Sequence, residues 1–394
     1  MSEQAYSVLT LARSCPYAPP AEHRRLQTEE PISRATLPNG QSVWVLTRYD
    51  DVRTMLMDPR FSADRRNPNY PTLAAGRLIP EGARTPLISM DPPEHGPARR
   101  AVLGEFTAKR LKALRPRIQE IVDEHIEAML DGPRPADLVT ALSLPVPSLV
   151  ICELLGVPYT DHGFFQARTS LLSDRAASPE LHAKALAELV AYLKDFVSAK
   201  QKAPADDLIS RQLAKSDDPA AVTVLAQLLL SAGHETTANM ISLGAMALLD
   251  RPDDLRIIRA DPAKTPAAVE ELLRYFTIGE VSGARVAIAD VELGGVLIRA
   301  GEGVVPLLNT ADRSPEAFDQ PDKLDLERGA RHHLAFGYGP HQCLGQNLAR
   351  IELEIVFTTL FSKIPDLRLA APIESLPFKN SGLAYGLHEL PVTW

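Results

Sequence analysis

The most informative part of this chain is the stretch Phe336-Gly337-Tyr338-Gly339-Pro340-His341-Gln342-Cys343-Leu344-Gly345. A single cysteine follows a glycine-rich loop and stands directly before an apolar pattern of helical spacing, Leu344, Leu348, Ile351 and Ile355. Cys343 is therefore predicted to lie at a helix start. Backbone N–H groups at a helix start favour the thiolate, which is the form of cysteine that binds metals.

The glycines of the stretch support a ligand rather than a packing role. Gly337 and Gly339 allow backbone conformations that other residues avoid, and Gly345 leaves room for a flat ligand close to the backbone. The alternative for an isolated cysteine is an inert buried side chain. The aromatic and glycine pattern around Cys343 favours the metal ligand.

The pattern Phe-x-x-Gly-x-x-x-Cys-x-Gly resembles the haem-binding signature of the cytochromes P-450, and residues 336–345 match every fixed position. The resemblance covers nearly the whole chain and is strongest to the soluble actinobacterial members. It implies a mainly α fold with a smaller β portion, in which haem lies between a long core helix and the helix after the cysteine loop. It also implies haem b as cofactor, with the Cys343 thiolate as axial ligand and Phe336, Gly337 and Gly345 beside it.

Length and composition indicate one large globular unit. The chain has 394 residues but no Gly/Ser linker, low-complexity tract or internal repeat that would divide it. A single domain over residues 1–394 is therefore predicted. Within it we expect an α-rich core at about 95–276 and 343–363 and β-rich parts at about 30–60, 277–308 and 365–394.

Charge and cysteine content exclude some classes of protein. A formal net charge of −8 argues against nucleic-acid binding, which needs an excess of Lys and Arg. The three cysteines, Cys15, Cys152 and Cys343, are far apart and fit a reducing cytosol rather than a disulfide framework. The N-terminus has neither the basic nor the apolar region of a signal peptide or membrane anchor, so we expect a cytoplasmic protein.

Hydrophobic periodicity predicts the main elements. A strand is expected at 41–47 and a hairpin within 291–298 that turns at Gly294-Gly295. The loop 61–93 is rich in Pro, Arg and Gly. Helices are expected at Tyr49–Met57, at about 95–130, 138–155, 160–175, 179–201, 206–214, 219–250 and 265–276, and from Cys343 to near Lys363.

The helix at 219–250 is apolar nearly all round, which is typical of a helix that runs through a core. It contains Ala232-Gly233-His234-Glu235-Thr236-Thr237. Glycine weakens a helix, and a threonine side chain can bond the carbonyl four residues earlier and bend it, so a local opening is predicted here. A Glu235 that merely pairs or caps locally is the alternative, and His234 is interpreted as structural or channel-lining.

This hexapeptide resembles the family's Ala/Gly-Gly-x-Asp/Glu-Thr-Thr motif. The resemblance implies that Thr236 hydrogen-bonds the bound dioxygen, that Glu235 helps to relay protons, and that Ala232 contacts the haem. It further implies a structural charge network of Glu271 and Arg274, in Glu-x-x-Arg, with Arg328. On its own, Glu-x-x-Arg would be an ordinary pair on one helix face.

Carboxylates need cationic or donor partners, and the haem propionates are carboxylates. Positions that match the family's pattern for this role are His95, Arg99, Arg285 and His341. Ordinary surface solvation is the alternative for each taken singly. Pro97 departs from the basic residue that many relatives have, so the entry to the helix near His95 is expected to differ.

The resemblance implies a largely apolar substrate pocket. Arg65, Arg66 and Ser282 are possible polar additions, with solvation as the alternative for both arginines. The expected apolar walls are Leu87, Ile88, Leu228, Leu229, Ile278, Val281 and Leu383.

A further set of basic residues is expected near the cysteine and could steer an acidic electron donor, although a solvated face is the alternative. The resemblance supplies the partners, a ferredoxin and its reductase, because no Gly-x-Gly-x-x-Gly nucleotide fingerprint follows a strand. The basic residues are Arg100, Lys109, Arg110, Lys112 and Arg350.

These features together predict a haem-thiolate monooxygenase. It would hydroxylate or epoxidise a lipophilic small molecule, a secondary metabolite or a xenobiotic, with dioxygen and two electrons from the ferredoxin. The alternatives are a haem-thiolate sensor or electron carrier that oxidises nothing, a relative that uses peroxide or rearranges its substrate, and a haem-free helical interaction protein. The first two would have little use for Glu235 and Thr236.

Overall fold

The computed structural model describes residue 9 and residues 12–72, 82–174, 177–380 and 384–394. These residues form two units, each assembled from several stretches of the chain. The first unit comprises the residues up to Arg99, Leu273–Leu324 and His332–Cys343. The second comprises Arg100–Leu272, Asp325–Arg331 and Leu344–Trp394. The assignment of the whole chain to one domain stays a prediction.

Helices make up most of the regular structure. In the part of the chain that the structure describes they are α1 Ala21–Glu29, α2 Tyr49–Met57, α3 His95–Leu103, α4 Ala108–Leu130, α5 Pro145–Leu155, α6 His162–Ser173, α7 Pro179–Lys202, α8 Leu208–Leu213, α9 Pro219–Gly233, α10 Glu235–Asp250, α11 Pro252–Ala260, α12 Thr265–Phe276, α13 Leu308–Ala311 and α14 Gln346–Lys363.

The strands are short. Over the same residues they are β1 Ile32–Thr36, β2 Ser42–Leu46, β3 Phe61–Ser62, β4 Ala136–Asp137, β5 Arg285–Ala287, β6 Val291–Leu293, β7 Val296–Ile298, β8 Gly303–Pro306, β9 Arg368–Leu369 and β10 Pro391–Thr393.

The first unit is built on a five-stranded sheet in the order β1-β2-β8-β5-β3. Period-2 alternation places Val43 and Val45 of β2 on one face, where they join Val286 and Val305 in a buried apolar cluster. A separate hairpin pairs β6 with β7. Its turn at Gly294-Gly295 has φ of 55° and 81°, the left-handed conformation that the sequence predicts for this glycine pair.

The second unit is centred on α10, whose residues Leu243, Ala245 and Met246 are completely buried. It packs against α14, and the two helices approach closely at Gly244. A Cβ at that glycine would lie 2.4 Å from Cζ of Phe357, so a larger residue would force the Phe357 ring to shift. A small three-stranded sheet in the order β4-β10-β9 completes this unit.

The predicted helix at 219–250 is wrong in one respect, because it is two helices. The helix α9 ends at Gly233, His234 is not helical, and α10 begins at Glu235. Gly233 packs closely, since a Cβ there would lie 2.9 Å from Cδ1 of Ile151 and that end of the side chain would have to shift. The chain therefore combines a weak helix former with competing side-chain hydrogen bonds at the position where the helix breaks.

Two further predicted helices differ in extent. The helix expected at 95–130 is divided into α3 and α4 by a 3₁₀ turn at Gly104–Phe106, after which Thr107 is extended. The helix expected at 138–155 starts as a π-helical turn at Val139–Ser143 and becomes α-helical only from Pro145. Among the described helices, none is long and apolar enough to span a membrane.

Candidate active site

The loop that carries Cys343 is closed by its own backbone. The Cys343 amide donates to the Phe336 carbonyl at 2.8 Å, and the Gly337 amide donates to Leu334 at 2.8 Å. A 3₁₀ turn at Gly339–His341 follows, and α14 begins only at Gln346. Cys343 thus stands just before the helix rather than within it, with an exposed side chain.

Both predicted loop glycines have left-handed backbone conformations, with φ of 66° at Gly337 and 73° at Gly339. A Cβ at Gly339 would also lie 2.8 Å from Sδ of Met57 and 3.0 Å from the Leu56 carbonyl oxygen. No described atom lies within 4 Å of a Cβ built on Gly345, so that side of the backbone stays open. The loop conformation therefore depends on glycine, as the sequence indicates.

The four residues predicted to hold haem carboxylates belong to the same unit as this loop. The rings of His95 and His341 stack, with centroids 3.9 Å apart and planes 19° apart. The guanidinium of Arg99 donates to the Gln342 carbonyl at 2.5 Å, directly beside the cysteine. Arg285 is only 6% exposed and donates to the Ala284 carbonyl at 2.9 Å.

These side chains influence one another electrostatically. Burial and the positive charge of Arg285, followed by His95, Arg99 and Arg65, lower the pKa of His341 to about 3. Burial, then Arg99 and Arg285, also lowers the pKa of His95. Both imidazoles are therefore neutral hydrogen-bonding groups near pH 7, while the guanidiniums keep their charge.

This group of residues fits a ligand with carboxylates. The buried Nε2 of His95 has no hydrogen-bond partner among the described residues. Among the described residues, Asp91 is an acid whose charge acts on both His95 and Arg285, and its carboxylate oxygens already accept bonds from Ser62 Oγ and from the Ala63 amide at 2.7 Å. Two arginines in the unit that carries the exposed Cys343 suit the propionates of a haem whose iron the cysteine binds.

The acid and alcohol of the second unit lie at the helix break. Oγ1 of Thr236 donates to the Ala232 carbonyl at 2.9 Å, which confirms the predicted i−4 bond, and both residues are exposed. His234 is buried, its Nε2 lies 3.3 Å from Oγ1 of Thr169, and burial lowers its pKa. The structure thus agrees with a structural role for His234.

Sequence reasoning missed the partner of Glu235. Oε1 of Glu235 accepts from Nζ of Lys379 at 3.2 Å, and the same Nζ donates to Oδ1 of Asn239 at 3.0 Å. Glu235 and Lys379 are 144 positions apart in the sequence, so no local sequence pattern predicts their ion pair. Glu235 therefore forms an ion pair with a residue that is distant in the sequence, not with a local one.

Parts of the predicted charge network are found in each unit. In the second unit, Nε of Arg328 donates to Oε1 of the fully buried Glu271 at 3.2 Å. In the first unit, the fully buried Arg274 donates to the carbonyls of Asp312 at 2.8 Å and Pro321 at 2.9 Å. Both parts hold the segment that leads to the cysteine loop, and a buried charge that loses its partner is strongly destabilising.

The predicted pocket residues have mixed environments. Leu229 and Ile278 are 8% exposed, Leu87 and Leu228 are half-buried, and Ile88 is 42% exposed. Val281 packs on the apolar cluster of the sheet, and Leu383 lies outside the described residues. A groove of about 740 Å³ in the first unit is lined by other residues, among them Glu30, Asp50 and Arg53, and includes none of the predicted pocket residues.

Four of the five expected basic side chains are exposed. Of these, Arg110 lies 3.7 Å from Glu105. Arg350 is different, because its guanidinium binds both carboxylate oxygens of Glu270, at 2.6 Å and 3.0 Å. Arg350 is therefore used within the fold, and the exposed set consists of Arg100, Lys109, Arg110 and Lys112.

Comparison with known proteins agrees with this geometry. Residues 264–364 match the family model described as Cytochrome P450. Pentalenic acid synthase of Streptomyces avermitilis is 48% identical over 97% of this chain and 96% of its own. Vitamin D3 dihydroxylase of Streptomyces griseolus is 45% identical over 97% and 95%. The crystal structure of cytochrome P450 MoxA from Nonomuraea recticatena is 55% identical, with a TM-score of 0.91 over 98% of both chains.

The chain belongs to the cytochrome P450 family and has its fold. It is a haem-thiolate monooxygenase of the actinobacterial class, and its cofactor is haem whose iron is bound by a cysteine thiolate. The prediction of family, fold class, cofactor and reaction class is confirmed. The assignment of individual site residues stays a prediction.

Proposed function

We propose that this chain hydroxylates or epoxidises a bulky lipophilic small molecule, a secondary metabolite or a xenobiotic, in the cytoplasm. Two electrons come from a ferredoxin that its reductase supplies, since the chain carries no nucleotide fingerprint of its own. The observation that carries the proposal is the gathering of Arg99, Arg285 and two neutral histidines beside the loop of Cys343. That arrangement suits a haem, and a haem-thiolate site suits oxygen insertion.

The residues beside the cysteine loop would hold the cofactor. Cys343 would supply the thiolate that binds the iron, with Phe336, Gly337 and Gly345 forming the loop around it. Arg99 and Arg285 would supply positive charge to the propionates, while His95 and His341 would supply neutral N–H donors. When bound, the haem supplies the reductive activation of dioxygen.

Thr236 and Glu235, both in the second unit, take part in proton transfer. The Thr236 hydroxyl gives its hydrogen to the Ala232 carbonyl, so its oxygen is available to accept a hydrogen bond from water. Glu235 is buried but carries a carboxylate oxygen, Oε2, without a described partner. A carboxylate in that state can take up a proton and release it toward the neighbouring hydroxyl.

The substrate class follows from the pocket residues and from the relatives. Leu87, Leu228, Leu229 and Ile278 are apolar and have no group that would orient a charged substrate. The relatives named above carry the names of pentalenic acid and vitamin D3. A large apolar molecule is the substrate class that both observations favour.

The proton role is tested with Thr236→Ala. We expect peroxide release per electron pair to rise on the order of tenfold and product to fall accordingly, because the hydroxyl no longer directs proton transfer. Thr223→Ala is the matched control, since Oγ1 of Thr223 makes the same kind of i−4 bond to Pro219 at 2.9 Å within α9. Unchanged coupling in Thr236→Ala would contradict the role.

The substrate class is tested by difference absorption spectra during a screen of lipophilic compounds, because a substrate that displaces water from the iron changes its spin state. Turnover of each binding compound is then compared with reduced ferredoxin and with peroxide as the only source of oxidant. We expect product with ferredoxin and dioxygen. Product with peroxide alone would favour a peroxide-using enzyme instead.

A further inference from the structure

The two carboxylate oxygens of Glu235 have different surroundings. Oε1 accepts from Nζ of Lys379 at 3.2 Å. Oε2 is buried, and no residue that the structure describes is its hydrogen-bond partner. The side chains of Glu235 and Lys379 are 11% and 12% exposed, so this ion pair is largely removed from solvent. A buried oxygen that water or a ligand does not satisfy costs stability, so this atom is open to a partner that passes a proton to it or takes one from it.

Lys379 is held firmly against α10. Its Nζ also donates to Oδ1 of Asn239 at 3.0 Å, so the ammonium bridges two positions one helical turn apart. Its backbone amide donates to the Gly386 carbonyl at 2.9 Å. A Cβ at Gly386 would lie 2.2 Å from Oδ1 of Asn239, so the backbone at Gly386 packs directly against the side chain that Lys379 binds.

His234, which precedes Glu235 in the sequence, does not supply a positive charge that balances this acid. His234 is buried, burial lowers its pKa, and the imidazole is neutral near pH 7. Within the described part of the chain, Lys379 is the ion-pair partner of Glu235. The positive charge that pairs with Glu235 therefore belongs to a segment 144 residues further along the chain.

We infer that Lys379 is a positioning residue for proton delivery, which anchors Oε1 of Glu235 and leaves Oε2 as the atom that holds and passes the proton. This inference rests on the proposed proton role of Glu235. Each hydroxylation consumes one dioxygen, two protons and two electrons from the ferredoxin, and it yields one hydroxylated product and one water. Electron pairs that do not end in product and water end in hydrogen peroxide or in further reduction to water. The ratio of product to electrons therefore reports whether the proton arrives correctly.

The first test replaces Lys379 with Met and, separately, with Arg. In Lys379→Met the acid loses its anchor, and we expect product per electron pair to fall about tenfold while KM for the substrate stays unchanged. Lys379→Arg keeps the charge and should retain most of the coupling. Lys363→Met is the matched control, because Lys363 pairs with Asp123 and Glu127 on the second unit's surface. Haem content and thermal unfolding are measured for every variant.

A double-mutant cycle with Glu235→Gln separates positioning from general structure. If Lys379 acts through Glu235, Lys379→Met should cause no further loss of coupling in the Glu235→Gln background. An equal further loss in that background would overturn the inference while leaving the role of Glu235 intact. Full coupling in Glu235→Gln alone would overturn the proton role itself, and with it the inference, so the two failures are distinguishable.

Discussion

A bound anion would explain why positively charged side chains are grouped beside Cys343. Arg99 and Arg285 lie close enough to His341 to depress its pKa, and Arg65 adds to the effect. Like charges in a partly buried site repel, and burial of guanidiniums is costly. Haem propionates would satisfy the arginines and would also give the buried Nε2 of His95 an acceptor or donor.

The prediction at this scale concerns Arg285. Loss of a hydrogen bond to a charged group costs about 1.5–3 kcal/mol, so Arg285→Gln should speed the transfer of haem to apomyoglobin by about ten- to a hundredfold. Arg285→Lys, which keeps the charge, should fall in between. The control is Arg66→Gln, because Arg66 is exposed and pairs with Asp64. Haem retention equal to wild type in Arg285→Gln would refute the assignment.

Single residues were predictable where the chemistry is local. The glycine conformations of the cysteine loop and the bond from Thr236 to Ala232 follow from neighbours a few positions away. Lys379 could not be found, because its contact with Glu235 depends on how the C-terminal segment returns to α10. Arg350 shows the opposite failure, since a residue expected at the surface is bound by Glu270.

At the scale of elements, the break between α9 and α10 places the acid and the alcohol at the start of a new helix. An uninterrupted helix would engage each carbonyl with the amide four residues later. At the break, the Ala232 carbonyl is instead taken by the Thr236 hydroxyl. The weak helix former Gly233 and its tight packing on Ile151 localise the break to one position.

The close approach of α10 and α14 gives a prediction for this scale. Gly244→Ala places a methyl group against the ring of Phe357, and overpacking of this kind typically costs about 1–3 kcal/mol of the free energy of unfolding. Gly163→Ala is the control, because no described atom lies within 4 Å of a Cβ there. It should be neutral or slightly stabilising in denaturant unfolding. Equal stabilities of the two variants would contradict the packing argument.

The boundaries of helices were predicted correctly where the local sequence signals are strong. The helices at Tyr49–Met57 and Thr265–Phe276 are found with the predicted bounds. The helices α1 and α11 were not predicted. Neither has a side-chain N-cap bond. Helix α11 does carry start signals, Pro252 at its first position and acidic residues in its first turn, which the prediction did not use.

For the molecule as a whole, we expect charge to influence how an electron donor binds. The chain carries a net charge of −8, yet Arg100, Lys109 and Lys112 are exposed on α3 and α4. A local positive surface on a negative protein can steer an acidic partner, and salt weakens this attraction. Together with Arg110, these are the predicted cationic side chains that remain exposed once Arg350 is assigned to its internal ion pair.

The corresponding prediction is a charge reversal, Lys109→Glu with Lys112→Glu. We expect KM for the reduced ferredoxin to rise about tenfold at low salt with little change in kcat, and the difference from wild type to shrink as salt is added. Lys184→Glu with Lys202→Glu on α7 makes the same change in net charge and is the control. An equal rise in KM in both variants would show that only net charge matters.

The chemistry of this protein depends on the predicted bond between the sulfur of Cys343 and the haem iron. Its most direct test is the absorption spectrum of the reduced protein under carbon monoxide, where thiolate ligation gives a Soret band at about 450 nm. We predict this band in the wild type and in Cys15→Ser and Cys152→Ser, and its loss in Cys343→Ala. A wild type without the band, or a Cys343→Ala variant that retains it, would contradict the account.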